Sequence, residues 1–111
     1  MAEKVSIGAA LERMARAYEP EPVAQVDGHQ ALVVRYEGDY PEHTHDADEF
    51  LLCLEGTIEM RLPDGVVTLG PQEGLRIPAG VPHAPSSKGA VGLIYESNRI
   101  QTRLMGTVGD D

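Results

Sequence analysis

The chain has a single cysteine, Cys53, so no disulfide can form within it. A lone thiol fits a reducing compartment, and the expectation is a cytoplasmic protein. No apolar run approaches the ~20 residues that a helix needs to cross a bilayer. The opening Met1-Ala2-Glu3-Lys4 leads into an amphipathic segment rather than the apolar stretch of a secretory leader. No membrane role is expected. Cations are scarce too: 9 Lys and Arg stand against 18 Asp and Glu, a formal net charge of -9. Affinity for nucleic acid comes from clustered cations on the phosphate backbone, so nucleic acid is excluded as a partner. A strongly anionic ligand would need a bound metal to reverse the local field. Internal repeats, low-complexity stretches and a phosphate-binding glycine loop are absent as well.

What is present is one domain's worth of chain, 111 residues, with 12 Gly and 8 Pro. That composition suits short strands joined by tight turns. Ile7, Leu11, Met14 and Tyr18 recur at helical spacing, with Ser6 as N-cap and Pro20 and Pro22 as the stop. From Val23 the period becomes that of strands. Val23–Val26 and Ala31–Tyr36 flank an Asp27-Gly28 turn, with His29 a solvated turn residue. Glu55-Gly56 reads as the two-residue loop of a hairpin joining Phe50–Leu54 to Thr57–Leu62. In that pairing Leu51, Cys53, Ile58 and Met60 share an apolar inner face, with Glu49 at its end. Phe50, Leu52 and Leu54 then form an outward apolar stripe, covered by a second copy of the chain or by the N-terminal helix. Cys53 reads as a small buried hydrophobe rather than a nucleophile. Ala90–Glu96 is the last core strand. Of the tail from Ser97, Ile100, Leu104 and Val108 can pack on a neighbour, and the final Gly-Asp-Asp frays.

The chemistry concentrates between Gly38 and Gly56. His43 and His45 lie two positions apart, so on a strand both imidazoles leave the same face. Glu49 enters the apolar interior, where an uncompensated carboxylate is costly and needs a partner. A metal ion would be one and a salt bridge another. Further on, Pro78-Ala79-Gly80-Val81-Pro82 makes a stiff turn that delivers His83, the fourth candidate ligand. Each histidine alone reads as an ordinary polar residue; the combination points to a metal. Imidazole with carboxylate suits one divalent transition ion, Fe, Mn, Ni or Zn, rather than Ca or Mg.

His43-Thr44-His45, Glu49 and Gly56 resemble the first cupin motif, and Pro78-Ala79-Gly80-Val81-Pro82-His83 resembles the second, Pro-x-Gly-x-x-His. Together they cover residues 30 to 96. More narrowly, the chain resembles the small single-domain cupins labelled as similar to mannose-6-phosphate isomerase. It departs from the pattern at Gln72, where a glycine usually stands, and at Ser87, where an asparagine is frequent. The resemblance implies a mainly β fold, a double-stranded β-helix or jelly roll, with one short N-terminal helix. Residues 1–22 would be helix and linker, and 23–111 the barrel. It implies His43, His45, Glu49 and His83 as metal ligands, and a homodimer. The expected activity is binding or transformation of a small molecule, dioxygenase-like or isomerase-like, with a non-catalytic binding module as the alternative. Polar groups lining the cavity beyond the ligands would separate the two, and Arg35, Arg76, Tyr36, Tyr40 and Tyr95 are the residues to inspect.

Overall fold

The computed structural model describes residues 1–105. In chain order these form helix α1 (Ile7–Arg13), then β1 (Glu21–Val26), β2 (His29–Asp39), β3 (His43–His45), β4 (Glu49–Gly56), β5 (Ile58–Leu62), β6 (Gly65–Leu69), β7 (Gly74–Ile77), β8 (Ala84–Ser97) and β9 (Thr102–Leu104). The fold is mainly β with one short helix, as expected. Val108 and the terminal Gly-Asp-Asp lie outside the described residues.

The fourteen-residue β8 is the spine. It runs antiparallel to β2 along one edge and to β4 and then β5 along the other. The sheet order β1-β2-β8-β4-β7, with β6 attached through β5, makes seven strands; β3 and β9 form a separate two-stranded sheet. The interior holds Val34, Tyr36, Leu51, Cys53, Ile58, Met60, Leu69 and Ile77.

Glu55-Gly56 is not a hairpin loop. β4 pairs with β7 and β8, while β5 pairs with β6 and β8, so β4 and β5 are two halves of one bent strand lying along β8. A bulge between Cys53 and Glu55 and the positive φ of Gly56 (75°) turn the chain. The extra residue inverts the parity of the alternation. Leu51 and Cys53 before the bend and Ile58 and Met60 after it are therefore all buried, with Glu49 on the same side. A hairpin predicts the same faces, and for that reason the alternation alone did not distinguish the two pairings.

The helix is shorter than its stripe suggests. Ser6 caps it, its Oγ accepting from the Ala9 amide at 3.1 Å, but Met14 is already extended. Tyr18 lies outside at φ 65°, its amide donating to Arg35 O and its hydroxyl to Gly38 O. These tertiary bonds outweigh the local preference to continue the helix. Ala10 packs on Val33 and Val91, with Ile7, Leu11, Met14, Leu54 and Leu93 around it. The helix thus covers Leu54 of the outward stripe, while Phe50 stays 43% exposed. His29 begins β2 and stacks on Tyr95 with ring planes 9° apart.

Candidate metal centre

β3 carries His43 and His45 on one side, as the strand period requires. The turn after β7 brings His83 beside them: His43 and His83 exchange backbone hydrogen bonds, each amide donating to the other's carbonyl at 3.0 Å. Gly80, at φ 81°, allows the sharp turn, and its amide donates to His45 O at 2.9 Å. One ring nitrogen from each of the three histidines lies within 4.8 Å of the others. Glu49, 5% exposed, places Oε1 2.8 Å from His45 Nε2. Of the four residues singled out in the sequence, the structure gathers the three imidazoles into one cluster and sets the carboxylate against one of them.

The other ring nitrogens decide how the cluster can act. His43 Nδ1 lies 2.8 Å from Pro41 O and His83 Nδ1 lies 2.9 Å from Val81 O. A carbonyl only accepts, so both Nδ1 atoms carry the proton and both Nε2 atoms keep a lone pair. His45 Nδ1 meets the Thr102 hydroxyl at 2.9 Å. His83 Nε2 is buried and makes no hydrogen bond among the described residues. An acceptor held dry without a partner is unfavourable by itself, and a cation beside it removes the cost. Burial holds His43 down at about 4 and lowers His83 as well, so both rings are neutral at pH 7, the form that ligates a metal. His45 Nε2 and Glu49 Oε1, 2.8 Å apart, are at ion-pair distance, so the salt-bridge partner expected of a buried carboxylate is also at hand. The donor set fits a transition metal, and three close histidines can hold one.

The cluster faces a cavity of about 180 Å³. Its walls include Tyr18, Tyr36, Tyr40, Leu32, Val34, Met60, Ile94, Glu96 and Thr102. Tyr18 is pushed up to about 12 by burial and then by Asp39, and Tyr36 is raised by burial and by Glu49, so both hydroxyls stay protonated donors. Glu96 is also buried and sits opposite Glu49 across β8 and β4. Gln30 Nε2 donates to it at 3.0 Å, while burial raises its carboxyl.

Neither arginine flagged in the sequence lines the cavity. Arg35 donates to Leu11 O, and Arg76 pairs with Asp48 on the surface at 3.3 Å. Tyr36 and Tyr40 line the cavity; Tyr95 is exposed outside it. Glu96 and Thr102 line the cavity as well, without a motif to mark them in the sequence. Glu96 closes a strand read only as core, although it lies two positions from Ile94 on the inward alternation; Thr102 sits in a tail with no periodic signal.

Solved structures bear on the fold. The chain is similar to a cupin-2 domain containing protein from Shewanella frigidimarina at 28% identity, over 84% of this chain and 93% of that one, with a TM-score of 0.79. It is similar to protein NMB1881 from Neisseria meningitidis at 28% identity, over 86% and 99%, with a TM-score of 0.77. The DMSP lyase DddQ from Ruegeria pomeroyi shares 27% identity over 81% of this chain and 49% of its own, with a TM-score of 0.69. No curated protein matches the sequence. Residues 32–94, more than half of the chain and including His43, His45, Glu49 and His83, match the cupin domain, and the chain belongs to that family.

Proposed function

We propose that the chain is a metal-dependent cupin enzyme acting on a small molecule, with His43, His45, His83 and Glu49 holding one divalent Fe, Mn, Ni or Zn ion. The observation that carries the reading is the buried, partnerless Nε2 of His83 beside two further imidazoles. A bound ion of this kind supplies Lewis-acid polarisation of a substrate oxygen and, if iron, access to oxygen chemistry.

The chain's own residues favour turnover over passive binding, because polar groups beyond the four ligands line the cavity. The Tyr36 hydroxyl is a protonated donor that can orient a substrate oxygen. Glu96 is a carboxyl outside the proposed ligand set, placed to exchange a proton with a bound substrate. The apolar walls of Leu32, Val34 and Ile94 exclude water from that exchange. At about 180 Å³ the cavity is smaller than the ~300–1,000 Å³ that takes drug-sized ligands, so the substrate is a compact molecule. No Lys or Arg is among the lining residues, which disfavours a phosphosugar. The resemblance to cupins labelled after mannose-6-phosphate isomerase is thus one of architecture, and dioxygenase-like or isomerase-like chemistry on a compact, unphosphorylated molecule is the reading. Homodimerisation through the exposed Phe50 and Tyr95, cross-strand neighbours, belongs to the same reading, and light scattering tests it.

Elemental analysis of the purified protein, wild type beside His45→Ala, tests the core of this reading. Near-stoichiometric transition metal in the wild type and its loss in the variant are expected. No metal in either, even after reconstitution with Fe, Mn, Ni and Zn under reducing conditions, would leave a ligand-binding module in place of the enzyme.

A further inference from the structure

The three imidazoles are not held in the same way. His43 and His83 each bond the carbonyl two residues earlier in the chain, Pro41 O and Val81 O. Those partners are backbone, and no side-chain substitution removes them. His45 depends on a side chain 57 positions away, Thr102 Oγ1 at 2.9 Å. The strand that carries Thr102 is fastened to the β3 segment along its whole length. His43, Thr44 and His45 pair with Leu104, Arg103 and Thr102. At one end the Met105 amide donates to Glu42 O at 2.7 Å. At the other, Asp46 and Gln101 are joined twice, Asp46 N to Gln101 O at 3.1 Å and Gln101 N to Asp46 Oδ1 at 2.8 Å. β3 pairs with no strand of the main sheet, so β9 is its sole strand partner among the described residues.

We propose that Thr102 is a positioning residue of the metal centre, and that β9 is a strap through which the C-terminal segment sets metal affinity. The inference rests on the metal reading above. Its hydroxyl at Nδ1 fixes the rotation of the His45 ring about the Cβ–Cγ bond, so that Nε2 points to the ion. Outer partners of this kind change metal affinity by ~10–100-fold when they are removed. The backbone bonds of the strap keep Thr102 in place independently of its side chain, so its hydroxyl can be deleted without releasing β9.

The test compares wild type, Thr102→Val and Thr102→Ser. Valine keeps the shape and the strand preference and loses only the hydroxyl; serine keeps the hydroxyl. Each protein is stripped with chelator and titrated with cobalt(II), with affinity read by chelator competition and site geometry by the visible absorption of the bound ion. The thermal midpoint of each stripped protein is recorded alongside. The expected result is cobalt affinity ~10–100-fold weaker in Thr102→Val with an altered spectrum, wild-type behaviour in Thr102→Ser, and stripped proteins of equal midpoint. Wild-type affinity and spectrum in Thr102→Val would overturn the proposal while leaving the metal centre intact. So would equal losses in both variants tracking a fall in the midpoint, since β9 would then be acting as structure alone. A wild type that takes up no cobalt would refute the metal reading, and this proposal with it.

Discussion

Replacing Gly56 by alanine tests the bend between β4 and β5. A Cβ there would lie 2.3 Å from Gly89 O and 2.9 Å from Ala90 Cα, both backbone atoms that cannot rotate away. The residue also sits at φ 75°, where an L side chain costs ~1–2 kcal/mol. Overpacking against fixed atoms adds ~1–3 kcal/mol, and the stiffer unfolded chain returns ~0.4–1. The net loss is ~2–4 kcal/mol, a large part of the ~5–15 kcal/mol that holds a domain together. For a chain of this length that lowers the thermal midpoint by roughly 8–16 °C. Gly38→Ala is the internal control: φ there is 83°, nearly the same, and a Cβ would meet nothing within 4 Å. It carries the conformational cost without the contact, ~0.5–1.5 kcal/mol. Urea unfolding of both variants measures the difference. Equal losses would mean that the chain at Gly56 does not press against Gly89, and the bent-strand account of β4 and β5 would fail.

Three further outcomes are expected. Gly92→Ala, whose Cβ would come 2.8 Å from Tyr36 Cε1 and 2.9 Å from Leu51 Cδ1, should cost ~1–3 kcal/mol in the same assay and move Tyr36 in the cavity wall. Stability should fall as the pH drops from ~6.5 toward ~4: His43 and His83, lowered by burial, stay neutral in the fold while the unfolded chain binds their protons. Glu96, raised by burial, acts in the opposite sense, its contribution being lost as the pH rises through its folded value, so the share of His43 is read as the part of the slope that His43→Gln removes. Zinc or manganese at a hundred times its dissociation constant should stabilise the wild type by ~2.7 kcal/mol, roughly 10 °C in the thermal midpoint, and His83→Leu should abolish the shift.

Most of the site was legible because its residues are adjacent on strands or fixed by stiff turns. His43 and His45 follow from the two-residue period, and His83 from a turn that two prolines and Gly80 leave little freedom. Glu49 was legible as a carboxylate on an apolar face, and it is buried. The β4–β5 connection was misread because Glu-Gly marks a positive φ without saying whether the chain reverses or merely bends. Only the partner strand, β8, settles that, and it is some thirty residues further on. Tyr18 was misplaced for a related reason: its helical spacing is real, yet its bonds to Arg35 and Gly38 are long-range. Thr102 had no local signal at all, since its partner is 57 positions away.

Charge balance ties the site together. Glu49 and Glu96 stand at facing positions of β4 and β8, both buried, and among the described residues no Lys or Arg lines the cavity beside them. Burial keeps His43 and His83 neutral, and the imidazole in ion-pair reach of Glu49 is that of His45. Gln30 eases one of the carboxyls with a hydrogen bond, and burial pushes that same group, Glu96, toward its protonated form. Glu49 is left against one imidazole nitrogen, His45 Nε2 at 2.8 Å, where on the proposed reading a divalent ion answers both its charge and the stranded Nε2 of His83. The two carboxyls thereby take different roles. On the proposed reading Glu49 would serve the metal, and Glu96, across the strand, would carry a proton. Exchanging either for its amide should then produce unlike defects. Glu49→Gln should weaken metal binding. Glu96→Gln should leave metal binding near wild type, and an equal loss of metal from both variants would refute the division.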